Sequence, residues 1–309
     1  MIKVILIYIT LIFFININNS YSIENKILLK IENEIITNID VQNESKYLLL
    51  LNPSIKNLSK KEIFNLSKKS LIREKIQNIE LLNNFKELKV PDSYLEEILK
   101  NVYKKIGINN LDTFKKYLGN NNIDYDHVKN KIEIEALWNE LIVSKFSSKV
   151  IINQEDIKKK LKNDNKFFTK NFLISEIFFE TTNSDEVQVI YNKIKKTIEN
   201  KGFETAALKY SLSSSANSGG KLGWIEEQTL NKDLKEIFLK MNEGDFTKPI
   251  TIPGGFMILK IDKIKKVRKN QNIDIDLKNI VNNTRNNQLN QFSKMYFNKV
   301  KKDIQISEF

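Results

Sequence analysis

The spacing of the apolar residues changes at about Lys170, and that change divides the chain. Upstream, apolar residues recur every three to four positions, the spacing of one buried helix face. Downstream, Phe172 to Phe179 reads as a strand, and helical and strand periods then alternate to about residue 267. Beyond Lys265 the chain becomes charged and then helical again. Helices, then a mixed segment, then a helix predict an α+β fold, with a helical module and one smaller α+β domain.

Local signals mark the elements of the first part. Ile27, Leu28, Leu29 and Ile31 precede Glu32-Asn33-Glu34, and Ile35-Ile36 follow, so residues 26–36 read as a hairpin. Thr37-x-x-Asp40 is a capping pattern that opens a helix at about Asn38. Ser59-Lys-Lys-Glu62 is a second, ahead of a long helix carrying Ile63, Leu66, Ile72, Ile76, Ile79 and Leu82. Pro91 and Asp92, supported by Ser93-x-x-Glu96, begin the next helix, and Gly107 ends it. A short helix from Leu111 to Leu118 is expected to stop at Gly119. Asp124 opens a helix with Val128, Ile132, Trp138, Leu141 and Ile142 on its apolar side, and Asn153-Gln-Glu-Asp156 begins a shorter one.

In the mixed segment, Val187, Ile190, Tyr191, Ile194 and Ile198 mark a helix that Gly202 terminates. Phe203, Ala206 and Ala207 lie on a short helix, and a Ser/Gly-rich loop follows from Ser211 to Gly223. Leu234, Ile237 and Phe238 mark another helix. Thr247–Ile252 and Gly255–Ile264 read as strands joined by Pro253-Gly254. The last helix, about Asp276 to Lys302, carries Val281, Leu289, Phe292, Met295, Tyr296 and Val300. It has no neighbour in its own segment, so its stripe is predicted to pack on the N-terminal helices.

The first residues carry an export signal. Lys3 precedes an apolar run from Val4 to Ile17, and Ser20-Tyr21-Ser22 offers small residues at a cleavage site. The run is shorter than the roughly 20 residues of a membrane span. Residues 1–22 therefore read as a signal peptide cleaved near Ser22, which places the remainder in the periplasm without stable membrane insertion. An uncleaved anchor is the alternative.

Composition excludes several chemistries. There is no cysteine, so an exported chain has no disulfide and no lipidated cysteine here. With His127 as the one histidine, neither an ordinary zinc site nor a Ser-His-Asp triad can be built, and no metal or cofactor is expected. The net charge of +12 is spread over every segment, together with abundant Asn and Ile, and reads as a solvated surface rather than a nucleic-acid stripe.

Five blocks carry the most information: Ile174-Ser-Glu-Ile-Phe-Phe179, Tyr210-Ser-Leu-Ser213, Gly219-Gly-Lys-Leu-Gly-Trp224, Gly244-Asp-Phe-Thr-Lys-Pro249 and Gly254-Gly-Phe-Met-Ile-Leu-Lys260. In this order and spacing, residues 172–264 closely resemble the parvulin (PpiC-type) family of peptidyl-prolyl isomerases. The layout of hairpin, helical region, parvulin domain and returning helix resembles the SurA family of periplasmic chaperones, whose members commonly carry two parvulin domains; this chain has room for one. The expected division is 1–22 signal peptide, 23–168 helical chaperone domain, 169–267 parvulin-like domain, and 268–309 a C-terminal helix on the N-terminal domain.

Parvulins lower the roughly 20 kcal/mol barrier of the X–Pro bond by holding the proline in an apolar cradle beside a histidine pair and a Cys or Asp. By resemblance, Glu176 and Met257 stand where the histidines would, and Ser213 replaces the Cys or Asp. Leu222 is kept, Leu230 and Leu234 fill positions of Met and Phe, and Phe256 is expected to bind peptide with them. Glu176 is expected at the cradle rim, partly exposed and paired with a lysine; the other reading is a functional carboxyl with a raised pKa. Ser213 reads as a loop-capping hydroxyl rather than a nucleophile, since no base is available. An apolar cradle without its polar apparatus implies a chaperone that holds unfolded outer-membrane proteins or other extended polypeptides, with impaired or lost isomerase activity. The alternatives are an active periplasmic isomerase and a foldase anchored through residues 4–17.

Overall fold

The computed structural model describes residues 25–163, 168–181, 183–268 and 273–309. The expected signal segment 1–22, its cleavage near Ser22 and the anchor reading lie outside the described residues.

The hairpin forms from β1 (Ile27–Ile31) and β2 (Glu34–Thr37), paired antiparallel, with Glu32 at positive φ in the turn. A third strand, β7 (Ile306–Glu308), adds to the free side of β1 and gives the order β2-β1-β7. Sequence reading misses β7. Three residues have no measurable period, and only pairing with β1, at the far end of the chain, makes them a strand.

The helices begin where the capping residues put them. Thr37 Oγ1 accepts from the Asp40 amide at 3.2 Å and the Asp40 carboxylate accepts from the Thr37 amide at 2.8 Å, which starts α1 (Asn38–Leu51). Ser59 and Glu62 do the same for α2 (Lys60–Asn84). Next come α3 (Asp92–Lys105), α4 (Leu111–Asn120), α5 (Tyr125–Phe146) and α6 (Gln154–Asn163). Helix α4 does not stop at Gly119. It runs to Asn120, and Asn122 makes the turn at φ 55°, a left-handed conformation that asparagine tolerates. The long α10 (Ile273–Asp303) returns to this region. Its Leu289, Phe297 and Val300 share one core with Leu29 and Ile31 of β1, Leu71, Ile76 and Leu81 of α2, and Leu137, Trp138 and Leu141 of α5. A second core joins α3, α4 and the start of α5 through Leu95, Leu99, Phe114, Leu118 and Val128.

The mixed segment is an antiparallel sheet in the order β4-β3-β6-β5, made of β3 (Phe168–Phe179), β4 (Lys221–Glu226), β5 (Ile250–Ile252) and β6 (Gly255–Arg268). Strand β3 starts before Phe172 because Thr169 and Lys170 still pair with Val267 and Lys266 of β6. On one face, Ile177, Phe179 and Ile258 pack on α7 (Ser184–Lys201) and α8 (Phe203–Tyr210) through Ile194, Phe203, Ala206 and Ala207. On the other, Phe172, Ile174, Leu259 and Ile261 pack on Phe238 of α9 (Lys232–Leu239).

The sheet domain docks on the helical part along α2 and α10. Leu208 of α8 is buried among Leu48, Ile55, Leu58 and Leu66. Arg73 of α2 donates to the carbonyls of Leu212 (2.8 Å) and Ser213 (2.9 Å). Glu62 accepts from Lys201 (2.8 Å) and Lys209 (2.7 Å) of the sheet domain.

Candidate functional site

Alternation along β3 places Phe172, Ile174, Glu176 and Phe178 on the face away from α7 and α8. Ser213 follows α8 and caps the short turn Ser214–Ser218, which ends at Gly219. The loop then closes on β3, where the Glu176 amide donates to the Gly220 carbonyl at 2.8 Å. Gly220 has φ 82°, and a Cβ there would lie 2.3 Å from the Glu176 carbonyl oxygen, so only glycine lets the loop approach this closely.

The Glu176 carboxylate is saturated with donors. Ser213 Oγ donates to Oε1 at 2.5 Å and Ser215 Oγ at 2.9 Å. Lys294 Nζ donates to both carboxylate oxygens at 2.9 Å. The same ammonium stands 5.2 Å from the centroid of the Phe178 ring. Glu176 is 3%, Ser213 1% and Lys294 8% exposed. A charge buried this deeply persists only when paired and hydrogen-bonded, and this one is both.

Glu176 therefore does not sit partly exposed at a rim. It is buried, and its lysine comes from α10 rather than from the sheet domain. Helix α10 crosses this face: it packs on the 227–229 turn, Met295 Cγ lies over Gly254, and Asn298 bonds Glu180 at the end of β3. Sequence reading missed Lys294. A signal existed, because it is embedded among Phe292, Met295, Tyr296 and Phe297 and has Asn290 and Asn298 at i±4 instead of a carboxylate.

Met257, Leu222, Leu230 and Leu234 gather half-buried around Phe172, Ile174, Leu259 and Phe238 on the Glu176 face. Phe256 does not join them. A strand turns successive side chains to opposite faces, and Phe256 stacks on Phe179 on the α7–α8 side, with centroids 5.6 Å apart. The expectation that Phe256 lines the cradle is corrected.

No histidine of the described residues reaches this cleft; His127 lines a separate cavity with Asp40 and Tyr47. The Ser213 hydroxyl spends its proton on Glu176, which is held by an ammonium, so it has no base that could make it a nucleophile. The arrangement binds a cation and presents an apolar wall beside it.

Residues 175–263 match the rotamase family described as the PPIC-type PPIASE domain. The chaperone SurA of Pseudomonas putida is 23% identical over 198 residues, covering 61% of this chain and 46% of its own length. The SurA of Buchnera aphidicola subsp. Schizaphis graminum is 26% identical over 296 residues, or 78% of this chain and 68% of that one. A solved structure from a study of two SurA-like chaperones of Campylobacter jejuni is 18% identical, covers 92% of this chain and 99% of that one, and has a TM-score of 0.36. The chain spans about half the length of the Pseudomonas relatives it matches. The segment 175–263 thus matches the PpiC-type domain family, and the chain that carries it is similar in sequence to SurA chaperones.

Proposed function

We propose that this chain is a periplasmic chaperone that holds unfolded outer-membrane proteins or other extended polypeptides, and that its PpiC-type domain binds peptide without isomerising it. The carrying observation is the Glu176 carboxylate. At a position where the family places a histidine, it is fully engaged by Lys294, Ser213 and Ser215. Prolyl isomerisation needs a cleft open to the X–Pro bond and donors free to favour the twisted amide, and these donors are committed to the chain itself. The likeness to SurA chaperones supports the chaperone reading, and the N-terminal residues 1–22 support export. No helix among the described residues is long and apolar enough to cross a membrane.

In this reading residues 23–168 with 268–309 form the holding module and 169–267 an accessory binding domain. A cavity of about 270 Å³ between α1, α2, α3 and α5 joins apolar walls from Leu51, Ile98, Val102 and Ile132 to the charged groups of Glu74, Lys131 and Glu135, a mixed surface on which an extended client could lie. The test pairs two measurements on the purified full chain: suppression of client aggregation and peptidyl-prolyl turnover. Suppression without turnover is expected. Turnover comparable to an active parvulin overturns the non-catalytic part, and absence of suppression overturns the chaperone part.

The second reading is an active isomerase, and the gathered cradle of Leu222, Leu230, Leu234 and Met257 favours it. Leu234→Asp would then abolish turnover while leaving suppression of aggregation in place.

A further inference from the structure

The PpiC-type cleft is filled by a lysine side chain of its own chain. Three parts hold it: a carboxylate that meets the ammonium at 2.9 Å through both oxygens, the Phe178 ring 5.2 Å away, and two serine hydroxyls that fix the carboxylate. Glu176 and Phe178 belong to β3, and Ser213 and Ser215 to the following loop, so the socket is built within the sheet domain. Its occupant comes from α10, which is anchored elsewhere by Leu289, Phe297 and Val300 in the helical core.

We propose that this socket recognises a lysine or arginine side chain of an extended polypeptide, and that Lys294 is a built-in occupant which such a client displaces. The proposal rests on the reading above that the domain binds peptide, and it adds the chemistry selected.

The socket requires a cation. In the docked chain Glu176 is 3% exposed beside Phe178, and apart from two serine hydroxyls its carboxylate is met by the Lys294 ammonium, the partner a buried carboxylate calls for. A planar guanidinium would meet both oxygens as a fork, and an ammonium meets them as a point charge. The apolar wall of Leu222, Leu230, Leu234 and Met257 adjoins it, so the fitting ligand is a basic residue flanked by proline or large apolar side chains.

The occupant is held in the socket through its ammonium, by Glu176 and the Phe178 ring. Beside Lys294, Met295 is 46% exposed. Other contacts across this junction include Leu208, buried among Leu48, Ile55, Leu58 and Leu66, and polar links from Arg73, Lys69, Glu62 and Asn298. Polar contacts of this kind within a chain resemble transient interfaces, for which relative motion is the default. The net charge of +12 opposes basic clients at a distance. Screening over about 8 Å at physiological ionic strength leaves the contact with Glu176 to decide selectivity.

The chain has no cysteine, which supplies the test. Cysteines placed by Glu180→Cys and Asn298→Cys, whose side chains meet across the cleft, report docking through the rate of bridging by a short bis-maleimide. The probe is an extended peptide with one lysine beside proline and phenylalanine; the control has norleucine in place of that lysine. The lysine peptide should slow bridging, the norleucine peptide should not, and Glu176→Gln should erase the difference. In parallel, Lys294→Gln should tighten binding of the lysine peptide by roughly tenfold, the gain from removing a competing occupant. If that variant does not fold, the bridging experiment still decides. Equal effects of the two peptides, or no effect of either, overturn the proposal and leave Lys294 as a structural bolt. A chain that fails to suppress aggregation yet shows the lysine dependence would overturn the chaperone reading and keep the socket.

Discussion

Lys294 Nζ stands 2.9 Å from both carboxylate oxygens of Glu176 and joins α10 to β3 across a separation of 118 residues. Both ends are almost wholly buried. Desolvation offsets much of the attraction in such a pair, so its main effect is on which arrangement forms rather than on net stability. The pair links the sheet domain to the returning helix.

Removing one partner of this pair should therefore cost far more than removing both. Glu176→Leu or Lys294→Met alone strands a buried charge, with an expected loss of about 3–5 kcal/mol. The double variant Glu176→Leu/Lys294→Met should lose much less than the sum of the two. Urea denaturation of the four chains gives the coupling energy. Additive losses would mean that the two groups do not act as a pair.

Leu208 tests the apolar part of the docking. It is 2% exposed and lies among Leu48, Ile55, Leu58 and Leu66 of the helical part. Leu208→Ala should destabilise by about 2–5 kcal/mol, the usual cost of a cavity at a leucine site. The loss should appear as faster trypsin cleavage near the domain junctions before global unfolding. A Leu208→Ala chain with unchanged cleavage and stability would show that the contact is made only weakly in solution.

Much of this fold was legible because local chemistry sets it. The caps at Thr37 and Ser59 depend on residues three positions apart, and the strand and helix periods need only a short window. Family resemblance assigns Leu222, Leu230 and Leu234 to peptide binding and Met257 to a histidine position, and these four lie on one face. What escaped depends on distant partners. Strand β7 exists because β1 receives it, and Lys294 is buried because Glu176 waits on another element. Phe256 was misplaced for a different reason: resemblance pointed to its neighbourhood, and the two-residue period of β6 assigns it to the other side.

Acid should loosen the docking through Glu62. Hydrogen bonds from Lys201 first and Lys209 next hold its carboxyl well below the ordinary glutamate range. A depressed pKa in the folded state means that the unfolded chain takes up the proton first. The contribution is thus fully present above about pH 4.3, the ordinary glutamate value, and is lost as pH falls below it. Wild type and Glu62→Gln should differ in unfolding free energy from urea denaturation at pH 7 by up to about 1 kcal/mol, as expected for ion pairs near the surface. The difference should shrink steadily as pH falls below the ordinary value. A gap that persists unchanged into that range would assign the effect to packing rather than to charge.

Ser293 and Lys294 are neighbours on α10, yet they serve opposite sides of it. Trp138 Nε1 of the helical core donates to Ser293 Oγ at 2.9 Å, and both side chains are buried. Ser293→Ala leaves the indole N–H without a partner, at an expected cost of about 1–3 kcal/mol, whereas Ser293→Thr keeps the hydroxyl and should recover most of it. Trp224 is 46% exposed and the chain has two tryptophans, so a Trp224→Phe background makes Trp138 the sole reporter of where α10 sits. In that background the Ser293→Ala emission should shift and its denaturation midpoint should fall. The bis-maleimide bridge across Glu180 and Asn298 should keep its dependence on a lysine-bearing peptide, because the socket is built from β3 and its loop rather than from Trp138. Loss of that dependence in Ser293→Ala would mean that α10 moves as one body with both partners, and that the socket cannot exchange its occupant while the helix stays anchored.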